Sequence, residues 1–389
     1  MNTQSTPVHM RLWHRDFWLM SFASLLLSMS VYVLLPVMPR WLMEVENFSP
    51  EETGLSMGVF ALGLYLFGPH CSWLVERYRR NIVCIRAMLV LAADLALLWY
   101  IDSLRSEFVG FWVIMSQRFV LGAAFGLAQM VLSSTLVIDT CESFWRTEAN
   151  HSVTWFSRLA LALGPMAGLT ACCWGGFGGA LCTAMALSAT AALLVYVVGF
   201  PFRSPGESVR VASLDRFFLP QGGVLYAHLL LVSASVGMLL SLPLVIRFYA
   251  LVAAGFLLAL LAQRFVFRDA ELKSEVVSGL FLIIAAQLVL LAYPDSPASP
   301  VLLGLGTGVV AARFLLFFIK LCRHCQRGTS QSTYFLGWET GIALGLGAGY
   351  GLFYQRPEAL ICTALALSCV ALLVYHLFTH RWFMSHKNR

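Results

Sequence analysis

Charge is what this sequence has least of. Asp, Glu, Lys and Arg together make up 12% of its 389 residues, about half the share of a soluble globular protein. With 59% of residues hydrophobic, a water-soluble enzyme of this length is excluded. So is disorder, which needs low hydrophobicity and high charge. Long polar connections are missing too, so no soluble output domain is attached: the longest runs over 201–220. No phosphate-binding G-x-x-x-x-G-K-[ST] loop occurs, which leaves ATP drive by this chain without support. No His-rich or carboxylate cluster has catalytic spacing at a membrane face, so no catalytic residues and no enzyme activity are assigned. No cofactor and no metal are expected. Cys322-Arg-His-Cys325 offers too few ligands for a structural zinc site and reads as a basic helix terminus. The other cysteines lie mostly inside apolar runs, where they act as small hydrophobes.

What is present is apolar sequence along the whole length. A spanning helix needs about 20 such residues to cross roughly 30 Å of hydrocarbon. Twelve runs can be read, at 17–39, 53–75, 82–101, 108–137, 150–172, 177–200, 221–244, 247–267, 274–293, 300–321, 330–353 and 358–378. All are of helical type, because open sheets cannot span lipid and the alternation of a membrane barrel is lacking. The first run follows Arg11, His14 and Arg15, as a signal peptide would. It is too long for a signal core, ends in Pro36-Val37-Met38-Pro39-Arg40-Trp41, and has no small-residue cleavage site after it. It is read as a retained helix.

The basic residues fall unevenly. Eighteen lie on the side of the N-terminus, the 2–3, 4–5, 6–7, 8–9 and 10–11 loops and the C-terminus, from Arg11 and Arg15 to Lys387 and Arg389. Only Arg40, Arg105, Arg247 and Arg356 lie opposite. The positive-inside rule therefore predicts both termini in the cytoplasm and an even number of crossings in a cytoplasmic (inner) membrane. The net charge of +6 is this topological bias, so no nucleic-acid partner is expected.

The 201–220 connection divides the chain into 1–200 and 221–389, six runs each. The halves carry a weak repeat. At an offset of 181, Arg146 matches Arg327, and Ala162-Leu163-Gly164 matches Ala343-Leu344-Gly345. At 182, Gly122 and Gly126 fall on Gly304 and Gly308. The expected fold class is an all-α polytopic membrane protein, with twelve transmembrane helices in two pseudo-symmetric six-helix bundles of parallel repeat type.

Three local patterns resemble the major facilitator superfamily. The family's 2–3 loop signature G-x-L-x-D-R-x-G-R-[KR] stands here as Ser72-Trp73-Leu74-Val75-Glu76-Arg77-Tyr78-Arg79-Arg80-Asn81. The acid, the Arg after it and the later Arg are kept; both glycines are replaced. Arg118-Phe-Val-Leu-Gly122, followed by Gly126, is similar to the family's helix-four pattern. Gly164-Pro165-Met-Ala-Gly168 is similar to the G-P-x-x-G core of its exporter-associated motif, with Ala160 where a glycine is expected. The resemblance implies alternating access to a central site, with Glu76, Arg77, Arg80 and these glycines at the gates. It also makes runs one, four and seven the cavity lining, with Tyr32, Gln129, Tyr226 and His228 as candidates there. His228 is placed near a helix entry, within reach of water.

Ionisable groups at mid-membrane cost about 2.5–3.5 kcal/mol on insertion scales, so they are functional or paired. At ~1.5 Å per residue, Arg158 lies about 12 Å from the cytoplasmic face, Glu339 roughly 13 Å and Arg313 about 10 Å. The three are expected to share a central cavity and to bind or gate substrate. Asp94 and Arg118 form a second level, near ~18 Å. They are expected to make an ion pair whose carboxylate could carry a proton. The function implied is secondary transport of a small organic solute, with a proton or another ion as coupled partner, by a monomer in the lipid bilayer. The glycine–proline motif favours proton-coupled efflux by an antiporter. The buried arginines suit instead an uptake symporter for a small anionic or zwitterionic metabolite. A non-transporting membrane sensor is the reading from a different class.

Overall fold

The computed structural model describes residues 11–103, 110–200, 210–267 and 271–387. Of the basic residues that set the topology, Arg105, Arg203, Arg268 and Arg389 lie outside the described residues. Nine stretches among the described residues are long and apolar enough to cross a membrane. One of them, Arg146–Val197, has 52 residues, about 78 Å of helix and so twice a bilayer. It turns back at Gly175 and Gly176. Gly176 has φ +60° and ψ −157°, a region open essentially to glycine alone. The doubled stretch, together with two more polar helices at 15–44 and Arg327–Phe353, brings the crossings to twelve. The chain is an integral membrane protein.

We number the crossings α1 (15–44), α2 (Pro50–Arg77), α3 (Arg80–Ser103), α4 (Phe111–Asp139), α5 (146–174), α6 (177–197), α7 (Pro220–Leu239), α8 (Ile246–Phe265), α9 (Leu272–Ala292), α10 (Ala298–Leu321), α11 (Arg327–Phe353) and α12 (Pro357–His386). The face bearing residues 210–219 is the linker face; the other is the distal face. One buried apolar cluster centres on α1–α6 and another on α7–α12.

The repeat seen in the sequence is a repeat of packing. Gly63 and Gly122 bring α2 against α4, and Gly255 and Gly304 bring α8 against α10 in the same way. Gly164 and Gly168 seat α5 on α1, at Tyr32 and Val33; Gly345 and Gly349 seat α11 on α7, at Gly237 and Ser241. In lipid, helices gain little from apolar burial against one another and associate through such close approach. α1 and α7 are also interrupted alike on the distal side. Regular helix is lost near a proline, inside α1 at Pro36 and just beyond α7 at Pro243, where the missing N–H cannot continue the ladder.

A Cβ on Gly122 would press on the Phe60 backbone carbonyl, which no rotamer change can relieve, whereas nothing lies within 4 Å of one on Gly58. Gly122→Val should therefore destabilise the bundle by at least the ~1–3 kcal/mol typical of overpacking. Gly58→Ala should be silent. Thermal unfolding of the two purified variants checks the contrast.

Candidate functional site

A buried polar contact joins the two halves. Arg158 on α5 reaches Glu339 on α11, Nη2 to Oε1 at 3.4 Å, and both side chains are buried. Tyr32 of α1 donates its hydroxyl to the same carboxylate at 2.6 Å. Two rings of α11 lie beneath the guanidinium: Trp338, with its centroid 4.7 Å from Cζ, and Tyr334, at 5.5 Å. Guanidinium stacking of this kind holds a cation where water is excluded. Arg158 and Glu339 enter the membrane from the linker face at similar depths on helices that pack across the interface, so their meeting follows from the two sequences' registers.

Further polar pairs extend the seam. Gln331 of α11 donates to Thr154 of α5 at 2.7 Å. Tyr65 of α2 hydrogen-bonds Tyr226 of α7, and also Thr340, beside Glu339, at 2.7 Å. Within the first half, Gln129 donates to Ser24 at 3.1 Å and Ser157 at 3.2 Å, tying α4 to α1 and α5.

Distally, a cavity of about 920 Å³ opens between the halves, walled by Pro36, Met43, Leu169, Leu244, Tyr350 and Phe353 among others. Buried Ile342 and Leu346 of α11 stand between its floor and the charged pair.

On the linker face the chain's own connection bridges the two halves. The backbone N–H of Ser213 donates to the Pro69 carbonyl at 2.9 Å, and that of Arg216 to Thr329 Oγ1 at 2.9 Å. Leu219 N–H donates to Thr333 Oγ1 at 2.8 Å. Arg216 pairs with Glu76 at 3.7 Å, and Thr329 donates to Asp215 at 3.1 Å. Phe217 packs its ring edge-on to Tyr65, over Gly68. Residues 213–219 thus bind the linker-side end of α2 in the first half to the start of α11 in the second. Arg216 takes φ +59° to do so, an uncommon conformation for a side-chain-bearing residue.

The sequence matches no family model and no curated protein. Solved structures do match in shape. A POT family peptide transporter in an auto-inhibited form aligns at TM-score 0.69 and 12% identity, over 95% of this chain and 97% of that one. The human organic anion transporter MFSD10 aligns at 0.66 and 16%, over 92% and 98%. The nucleoside transporter NupG, in a point-mutant form, aligns at 0.65 and 12%, over 93% and 99%. The fold is that of these transporters.

Within this fold the residues of the 2–3 loop pattern are engaged. Glu76 meets Arg216 as described, Arg80 forms an ion pair with Asp139 at the end of α4, and Arg77 lies over the Trp73 ring, 5.6 Å away. Gly126 lets α4 pass close to the Leu64 carbonyl. Pro165 sits inside α5 between the two glycines that seat it on α1.

Three expected arrangements are different. Arg313 does not join Arg158 and Glu339. It forms an ion pair with Glu275 in the first turn of α9 instead. Asp94 and Arg118 do not pair, since consecutive residues of α4 take the two roles. Gln117 donates to Asp94 at 2.7 Å in a groove on the outer surface between α3 and α4. Arg118 faces inward instead, its guanidinium 5.2 Å over the Phe60 ring. His228 is buried away from water, stacked on Phe314 and hydrogen-bonded to Thr379 at 3.2 Å. The π-turn Tyr375–Thr379 of α12 covers it. Asp94→Asn should therefore leave stability nearly unchanged, since an Asn oxygen still accepts from Gln117. A thermal unfolding curve superimposable on the wild type is the expected result.

Sequence reasoning missed Trp338, Tyr334, Tyr65, Glu275 and the Asp215–Phe217 segment. Trp338 and Tyr334 sit one and five residues before Glu339, so helical neighbourhood pointed at them. Nothing local marked the linker residues.

Proposed function

We propose that this chain is a proton-coupled secondary transporter, moving a small organic solute by alternating access across a cytoplasmic membrane, with both termini inside. The observation that carries this reading is the buried Arg158–Glu339 ion pair between the two halves. A buried pair whose members lie on separate rocking bodies is a costly structural device, because desolvation offsets most of its Coulombic gain. It is a good coupling device, because breaking it leaves a carboxylate that must find a new cation or a proton. With the termini inside, the distal cavity is the external vestibule and residues 213–219 close the cytoplasmic exit.

The sense of coupling follows from the solute's charge. A cation competes with the proton for Glu339, and the outcome is exchange. An anion takes Arg158 and leaves Glu339 to the proton, and the outcome is symport. The exporter-like pattern Gly164–Gly168 has a sufficient role in seating α5 on α1, so the choice rests on the site. The test is purified protein in liposomes enclosing a pH-sensitive dye, exposed to organic anions, sugars and amphipathic cations. Solute-dependent proton movement is expected. Flux of a labelled solute with no proton movement would refute the coupling, and ligand binding without flux would refute transport.

A further inference from the structure

This inference rests on the coupled-transport reading and names its substrate class. Around Glu339 there are more buried donors than acceptors. Arg158 gives Nη2 to Glu339, but its Nε and Nη1 have no hydrogen-bond partner among the described residues. Trp338 Nε1 and the Tyr334 hydroxyl are equally unpartnered and equally buried. The guanidinium and the indole can only donate, and a buried donor left unmade costs about 1–3 kcal/mol. One carboxylate therefore serves a cluster with room for more acceptor oxygens. The guanidinium takes a carboxylate through two parallel hydrogen bonds on its Nε–H/Nη2–H edge or its Nη1–H/Nη2–H edge, and both edges use the Nη2 now given to Glu339.

We propose that the solute is a small organic anion, a monocarboxylate with an apolar body, which displaces Glu339 from Arg158 and is carried with one proton. A cation fits this site poorly: it would find one acceptor group, already shared by Tyr32 and Arg158, and a like charge beside it. The apolar body suits the ring faces of Trp338 and Tyr334 and the mainly apolar walls of the distal cavity.

The charges balance at each step. Before binding, Arg158 (+1) faces Glu339 (−1). The anion enters from the distal cavity and pairs with Arg158. Glu339, left as an unpaired buried carboxylate, takes one proton from the same side. The loaded site is again neutral, so it can cross to the other opening. There the anion and the proton leave and the pair reforms. Solute and proton move together, and a monocarboxylate carries no net charge across.

The experiment uses the full chain in detergent, weakly buffered, with a pH dye. Probes are hexanoate and benzoate, with their amides as neutral isosteres and hexylammonium and benzylammonium as cations. Binding is read by tryptophan fluorescence, since Trp338 lies against Arg158. A carboxylate is expected to bind at least tenfold more tightly than its amide, with uptake of about one proton per anion bound. Arg158→Lys, which loses the fork, is expected to weaken carboxylate binding tenfold or more. Glu339→Gln is expected to bind the anion without proton uptake. If Arg158→Lys does not fold, the carboxylate–amide comparison on the native protein still decides. Carboxylates binding no better than amides would overturn the proposal. Ammonium binding with proton release would also overturn it, while leaving coupled transport standing. Binding of any class with no proton exchanged would fell the proton-coupled reading on which the proposal rests.

Discussion

Arg158→Ala should be the most damaging single substitution in this protein. It leaves Glu339 buried with only the Tyr32 hydroxyl as partner, and breaking a buried pair from one side costs about 3–5 kcal/mol. Thermal unfolding of the purified variant should report a loss of that order, together with loss of transport. Removing both charges in Arg158→Leu/Glu339→Leu is expected to restore most of the stability, because well-packed apolar replacements for a buried pair are often neutral or stabilising. Transport should not return. A pair retained for packing alone predicts the reverse: a double variant that is stable and active. Because the two residues touch, their effects are not additive, and the double-mutant cycle isolates the interaction.

Phe217→Ala should loosen the linker face. The ring is buried between Tyr65 and Gly68, and truncating a buried phenylalanine costs about 3–5 kcal/mol. That stabilisation acts only while the face is closed. At about 1.4 kcal/mol per tenfold, removing it should raise the open population on the order of 100- to 1,000-fold. Cys71 reports the change. It opens the last part of α2 directly after the turn that Phe217 covers, and it is fully buried. Alkylation at Cys71, followed by peptide mass, should accelerate ten- to a hundredfold in Phe217→Ala. An unchanged rate would mean that residues 213–219 follow the gate without holding it. The exposed cysteines Cys173 and Cys362, on the distal half of α5 and at the start of α12, should label alike in both proteins.

The architecture was legible because membrane physics leaves few choices. Apolar length gave the crossings, and the glycine matches at offsets 181 and 182 gave the repeat that recurs as paired packing contacts. The Arg158–Glu339 contact was legible from depth, since equal distances along two helices from one face bring side chains to one layer. Depth alone could not give azimuth. Arg313 shares the layer but points to Glu275, and Arg118 shares the level of Asp94 but points the other way, one residue from the Gln117 that takes its place. A helix rotates about 100° per residue, so a neighbour in sequence can face the opposite side of the bundle. The linker was illegible for another reason. Asp215, Arg216 and Phe217 sit in a polar connection without periodicity, and their partners Pro69, Glu76, Thr329 and Thr333 are brought to them only by the assembled fold.

The most direct test of the account separates the two halves of coupling in Glu339→Gln. The variant is reconstituted in liposomes, and two rates are compared with the native protein: accumulation of labelled solute driven by an imposed proton gradient, and exchange of labelled for unlabelled solute with no gradient. If Glu339 carries the proton, accumulation is lost and exchange persists, because a glutamine mimics the protonated carboxyl and the site can still reorient when loaded. Gradient-driven accumulation at the native rate in Glu339→Gln would contradict the account, because the proton would then travel elsewhere.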